Sequence, residues 1–218
     1  MRLRILYDNE AIPGFLSDWG FSCLIELDDR RILFDTGKDG RVLLNNMEKM
    51  GIDKEEIEII VLSHNHRDHI GGLSHVMHPD AAVYLPASFP TKLKSEIAES
   101  SHLFEVKDFA EIDRGVHTTG ELGTSIIEQS LLVESDAGLI LITGCAHPGL
   151  ENILDVAGGW ERICGIVGGF HGFDELEKLS GIGFVCPCHC TSQKKEIHKA
   201  YPGASIECAA GRTIEIKR

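Results

Sequence analysis

No apolar run in the 218-residue chain approaches the roughly 20 residues that cross a bilayer. The opening Met1-Arg2-Leu3-Arg4-Ile5-Leu6-Tyr7-Asp8 meets an acid before any signal-like apolar core forms. The expectations are no membrane partner and a cytoplasmic location. Blocks of Lys or Arg are missing as well, and with a formal net charge of -13 the chain lacks the basic footprint that phosphate backbones require, so nucleic acid is not an expected partner. Low-complexity tracts, Pro-rich linkers and internal repeats are absent, which argues for a single domain over residues 1–218. Seven cysteines, an odd number with three crowded at Cys186, Cys188 and Cys190, do not make a secreted disulfide framework; reduced thiols are expected. Aromatic residues are only 6% of the chain, so few rings are available for stacking a ligand.

What is present is β-rich at first and mixed later. Residues 21–27 and 31–34 read as two strands around Asp28-Asp29-Arg30, followed by the polar break Asp35-Thr36-Gly37. Leu43, Leu44, Met47 and Met50 fall at helical spacing before Gly51, which predicts a helix over 40–50 ending on a left-handed glycine. Asp53 with Glu56 resembles a capping box. Residues 57–62 are almost wholly apolar and β-branched, as in a strand buried on both faces. Further strands are expected at 81–85, 125–133, 138–143, 162–167, 182–186, 204–208 and 212–216. Helices are expected at 89–99, 148–157 and 191–200. Helices covering two sheets from outside would give an α/β chain folded as a four-layer αββα sandwich.

The buried strand at 57–62 runs directly into His64-Asn65-His66-Arg67-Asp68-His69. Three imidazoles and a carboxylate within six residues are borderline donors that suit zinc, iron or manganese. In an extended loop His64 and His66 point the same way and can share one ion, while Asp68 and His69 on the next turn can reach a second. Gly71-Gly72 behind them would let the backbone turn tightly and open a helix.

The stretch from Ser63 to Leu73, with Phe34-Asp35-Thr36-Gly37 before it, resembles the signature loop of the metallo-β-lactamase superfamily. Ile142-Thr143-Gly144-Cys145-Ala146-His147-Pro148-Gly149, Gly168-Gly169-Phe170-His171 and His189-Cys190-Thr191, with Asp8-Asn9 and Asn46-Met47, resemble one branch, the dihydropterin ribofuranosylaminobenzene phosphate synthases. The resemblance implies the αββα metallo-hydrolase fold and a one- or two-metal centre. Zinc is the expected ion, with iron, manganese or nickel as alternatives. Its ligands would be His64, His66, Asp68, His69, His147 and His189. Cys145 stands where the superfamily usually carries a bridging Asp after a Thr-Gly pair, so either Cys145 or His147 supplies that ligand. His117 matches the usual third-histidine segment loosely. Asp35 and His171 are expected to contact substrate or to brace a ligand.

Asp68 is the expected catalytic group, orienting a water or accepting its proton. The expected activity is hydrolysis of an ester, phosphoester or related small molecule, phosphorylated or pterin-like. Condensation in pterin metabolism is one alternative, with Trp19, Phe15 and Phe170 as candidate stacking rings; a metal or redox sensor without turnover is another. Lys38, Arg41 and Arg67 are the cations nearest the motif in sequence. Cys186-Pro187-Cys188-His189-Cys190 alternates thiols with an imidazole, but a structural zinc site needs further ligands elsewhere and Cys-Pro-Cys is not redox spacing. These thiols are expected to line a strand and its turn, and His75, His78, His102 and His198 to sit on solvated helices or loops.

Overall fold

The computed structural model describes residues 1–28 and 30–216; Asp29, in the expected hairpin turn, lies outside them. The described residues divide into two compact units, one of residues 1–106 with 209–216, the other of residues 107–208. Each carries one sheet.

The first unit holds seven strands: β1 (Arg2–Tyr7), β2 (Ser22–Leu27), β3 (Arg30–Phe34), β4 (Ile59–Val61), β5 (Ala82–Pro86), β6 (His102–Val106) and the late β13 (Thr213–Glu215), in the order β13-β1-β2-β3-β4-β5-β6. From β3 to β6 neighbouring strands are parallel, and β13, β1, β2 and β3 pair antiparallel. Parallel neighbours need helical crossovers. These are α1 (Gly40–Lys49) between β3 and β4, the single turns α2 (Arg67–Ile70) and α3 (Leu73–Val76) between β4 and β5, and α4 (Thr91–Ala98) between β5 and β6.

The α1 periodicity reads as expected: Leu43 and Met47 are buried against Leu6, Leu24, Leu33, Ile60 and Leu62. Asp39 caps its N-terminus by accepting from the Arg41 amide, and Gly51 after it has φ +66°. Asn46, on the buried face, donates to Leu6 O and Leu16 O at 2.9 and 2.8 Å and accepts from the Leu16 amide at 2.9 Å, tying α1 to β1. Of the expected capping box only half forms. Asp53 accepts from the Glu55 amide, whereas Glu56 pairs with Arg31 Nη1 at 2.6 Å.

The second unit holds β7 (Ala110–Asp113), β8 (Val116–Thr118), β9 (Leu131–Ser135), β10 (Gly138–Thr143), β11 (Ile163–Gly169) and β12 (Phe184–Cys188), in the order β12-β11-β10-β9-β8-β7. β10, β11 and β12 are parallel and the rest antiparallel. Helix α5 (Leu150–Val156) connects β10 to β11, and α6 (Lys194–Ala200) follows β12. Leu150, Ile153, Leu154 and Ile197 bury their side chains with Leu141, Ile166 and Val185.

Two expected strands change. Residues 125–130 are irregular, and regular pairing starts only at Leu131, because Glu128, Gln129 and Ser130 turn buried polar groups inward. Residues 204–208 form no strand: their one bridge is Ser205 to Val185. His78, expected on a solvated element, is buried, with its Nε2 bonded to Ile57 O at 3.0 Å.

Candidate metal centre

Parallel strands deliver the candidate donors, because loops at the carboxyl ends of such strands open together. In the first unit Asp35 ends β3 and Ser63-His64 follows β4. In the second, Cys145-Ala146-His147 follows β10, Phe170-His171 follows β11 and His189-Cys190 follows β12. The chain bends sharply at these points. Among the described residues five non-glycine positions have positive φ, and four of them are Asp35 (+56°), Ala146 (+56°), His171 (+44°) and His189 (+44°). Such left-handed non-glycine backbone is uncommon and concentrates at functional sites.

In the first unit the Asp35 carboxylate is fully buried. Its Oδ1 accepts from the Ser63 amide at 2.7 Å, and its Oδ2 accepts from Ser63 Oγ at 2.7 Å and from His69 Nδ1 at 2.6 Å. Nδ1 of His69 therefore carries the ring proton, and Nε2 keeps the lone pair. Ser63 spends its single hydroxyl proton on Asp35, so at 2.9 Å it accepts from His64 Nδ1. His64 Nε2 is thereby also a lone-pair nitrogen, and it lies 3.0 Å from His66 Nδ1. Two nitrogens on one tetrahedral ion with bonds of about 2.1 Å stand about 3.4 Å apart, so a small opening of this pair admits an ion.

The rings of His64 and His69 lie 4.2 Å apart, and Asp68 Oδ2 sits 3.9 Å from His69 Nε2. Asp68 Oδ2 also accepts from the indole nitrogen of Trp19 at 2.9 Å. The loop is pinned from behind: Thr36 N and Oγ1 both donate to His69 O, at 2.7 and 3.0 Å. A Cβ on Gly71 would lie 2.2 Å from Lys38 O, and one on Gly72 2.3 Å from Thr36 O, so only glycines allow this approach.

In the second unit a residue that the sequence reading passed over does the corresponding work. Glu128, 1% exposed, accepts through Oε1 from the amides of Cys145 and Ala146 at 2.8 and 2.9 Å and from Thr143 Oγ1 at 3.2 Å. Its Oε2 accepts from the His147 amide at 3.0 Å and from His147 Nδ1 at 2.8 Å, which makes Nε2 the lone-pair nitrogen of His147. The signal available in sequence was an acid inside a segment otherwise read as a strand.

The His147 and His171 rings are 5.1 Å apart, and a recess of about 270 Å³ beside them is lined by Phe173, Glu151, Asp174 and Glu175 among others. Cys145, His189 and Cys190 bring their ligand atoms within 4.8 Å of one another. The Cys190 thiol is drawn down to about 6, first by its hydrogen bond with Cys145 and then by the charge of His189 and the bond to His171, against the effect of burial. His117, on β8, instead bonds Glu134 Oε1 at 3.0 Å and stacks on Phe109.

The other sequence candidates are placed as follows. Phe170 is 1% exposed and Phe15 is half-buried, whereas the Trp19 ring is 53% exposed. Arg41 pairs with Asp39 at 2.6 Å and Lys38 with Asp18 at 3.7 Å; Arg67 is exposed.

Comparison with known proteins agrees with this architecture. The structure of Tm1679, described as a metal-dependent hydrolase of the β-lactamase superfamily, superposes with a TM-score of 0.82 at 29% identity over 100% of both chains. YhfI of Bacillus subtilis, a metallo-β-lactamase fold protein, superposes with a TM-score of 0.72 at 12% identity over 98% of both. The fold is that of the metallo-β-lactamases. A family model described as anti-Pycsar protein Apyc1 matches residues 16–100, the stretch that holds the His64–His69 loop of this metallo-β-lactamase fold. Two relatives come from Methanocaldococcus jannaschii. An uncharacterized protein is 29% identical over 88% of this chain and 91% of its own. A 7,8-dihydropterin-6-methyl-4-(β-D-ribofuranosyl)-aminobenzene-5'-phosphate synthase is 27% identical over 84% of each.

Proposed function

We propose that the protein is a metal-dependent hydrolase of the metallo-β-lactamase superfamily, acting on an ester, phosphoester or related small molecule in the cytoplasm, with residues 1–218 working as one domain. The observation that carries this reading is that buried carboxylates hold Nδ1 of His69 and Nδ1 of His147, at 2.6 and 2.8 Å. Carboxylates behind histidines fix the tautomer and raise the basicity of the outward nitrogen, as ligand imidazoles require. The donor set fits a divalent ion: lone-pair nitrogens on His64 and His69 and the carboxylate of Asp68.

The proposed ligands are His64, His66, Asp68 and His69 from the first unit, with His147, His189 and Cys145 as candidates from the second, for one or two zinc ions. When bound, such an ion supplies Lewis acidity, polarising a carbonyl or phosphoryl oxygen and lowering the pKa of water toward about 7. The chain's own residues do the rest. Asp68 orients the attacking water or takes its proton, and the Trp19 indole N–H bonded to it limits its rotation. Asp35 keeps His69 in the ligating tautomer, and Glu128 does so for His147. His171, beside His147, faces the substrate. The test is metal content together with turnover on a panel of esters, phosphodiesters, thioesters and lactams. Metal binding with hydrolysis of a panel member supports the reading; metal binding with no turnover favours a sensor.

A second reading, condensation of a dihydropterin with a ribofuranosylaminobenzene phosphate, draws support from the synthase-named relative and from the exposed indole of Trp19 beside Asp68, which offers a face for a flat ring. Product formation from those two substrates would favour it over hydrolysis.

A further inference from the structure

Three cysteines outside the donor set above converge in the interior of the second unit. Cys186 and Cys188 are two residues apart on β12, so their side chains share one face. Both are fully buried. Their sulfurs are 3.8 Å apart, and Cys188 Sγ donates to Cys186 O at 3.2 Å. Sequence spacing alone offered no partner for this pair, but the chain beyond α6 returns along β12. The Val185 amide donates to Ala204 O at 2.9 Å and the Ile206 amide to Val185 O at 2.8 Å, making Ser205 a parallel bridge partner of Val185. Three residues beyond Ser205, this segment sets down Cys208, 4% exposed. All three sulfurs lie within 4.8 Å of one another.

We propose that Cys186, Cys188 and Cys208 form a second metal site, separate from the hydrolytic centre, that takes a soft thiophilic ion, monovalent copper, in three-coordinate sulfur geometry.

Spacing, ligand chemistry and burial favour this ion. With metal–sulfur bonds of about 2.3 Å, three sulfurs around one ion stand about 4 Å apart, near the 3.8 Å between Cys186 and Cys188 and inside the 4.8 Å that bounds all three. Thiolates select copper(I), zinc and iron–sulfur clusters. Zinc takes a fourth ligand in structural sites; among the described residues no fourth His, Cys, Asp or Glu joins this group, and the burial of the three leaves little access for a water to complete the shell. Copper(I) accepts fewer ligands. Burial, together with Cys186 and Cys188, pushes the Cys208 thiol well up. Loading therefore exchanges one proton, released to solvent, for each sulfur that becomes a thiolate, with no change of oxidation state. The alternative for buried thiols is packing as small apolar groups.

The test is anaerobic titration of the reduced protein with the acetonitrile complex of copper(I), in competition with a colorimetric copper(I) chelator. Native mass spectrometry and ultraviolet sulfur-to-copper absorption would count the ions, using Cys145→Ala/Cys190→Ala to silence the other thiol pair. One ion per chain, lost in the same background when Cys208→Ala is added, is the expected result; no ion in that background, or an ion retained after Cys208→Ala, overturns the site. Where Cys208→Ala does not fold, alkylation of the otherwise wild-type chain in partly denaturing urea, with and without copper(I), decides: Cys186, Cys188 and Cys208 protected only when copper is present supports the site, and equal labelling of the three with and without copper overturns it.

Discussion

The Glu128 carboxylate holds His147 at two points through one oxygen, taking its backbone amide at 3.0 Å and its ring Nδ1 at 2.8 Å. The other oxygen takes the amides of Cys145 and Ala146. One buried acid thus shapes the turn after β10 and sets the tautomer of its histidine.

Glu128→Ala leaves several buried donors without an acceptor, at about 1–3 kcal/mol for each. Unfolding in urea should show a loss of about 3 kcal/mol or more. Glu128→Gln keeps acceptor capacity and should cost less. If Glu128→Ala unfolds like wild type, the acid is not organising the turn.

Asp35 plays the corresponding part in the first unit. Asp35→Asn substitutes an amide that can no longer accept from Ser63 N, Ser63 Oγ and His69 Nδ1 together. Loss of a carboxylate behind a ligand histidine typically weakens metal binding by roughly 10- to 100-fold, and a chelator competition with zinc should read that drop. Ser63→Ala should give a smaller loss, through His64 alone.

The His64–His69 cluster and the α1 helix were legible in the sequence because their meaning lies in short spacings: alternation after an apolar strand in one case, a 3.6-residue period in the other. Glu128 was not legible, because its partners stand 15 to 19 residues away across a turn that no local pattern specifies. The same holds for Cys208, which joins Cys186 and Cys188 only through the return of the chain along β12. Strands β6 to β8 were missed for another reason. They are short, and β6 and β7 are largely exposed or half-buried, so they show little of the apolar alternation that marks a strand.

Two glycines should separate close approach from backbone conformation. Gly71→Ala places a methyl 2.2 Å from Lys38 O and 2.7 Å from Arg67 O; backbone must move, and a marked fall in melting temperature is expected together with weaker metal binding. Gly51→Ala meets open space at φ +66°, so it should cost only about 1–2 kcal/mol for left-handed backbone and leave metal binding intact. Equal effects of the two on metal binding would contradict the packing of the motif loop on residues 36–38.

Acid sensitivity has a local contribution at the N-terminus of α1. Asp39, with side-chain and backbone hydrogen bonds from Arg41, is lowered to about 2. A carboxyl whose folded value lies below its unfolded value of about 3.9 stabilises fully above that unfolded value and loses its contribution as pH falls toward 2. Asp39→Asn should therefore flatten the fall in stability between about pH 5 and pH 2, while still capping the helix. An unchanged acid limb would remove Asp39 from it.

The most direct test of the metal-dependent account is elemental analysis of purified wild type and His66→Ala, paired with turnover on the substrate panel. One or two ions per chain with measurable hydrolysis in wild type, and loss of both bound metal and turnover in a folded His66→Ala, is the expected result. A folded His66→Ala that keeps full metal content and full turnover would contradict it.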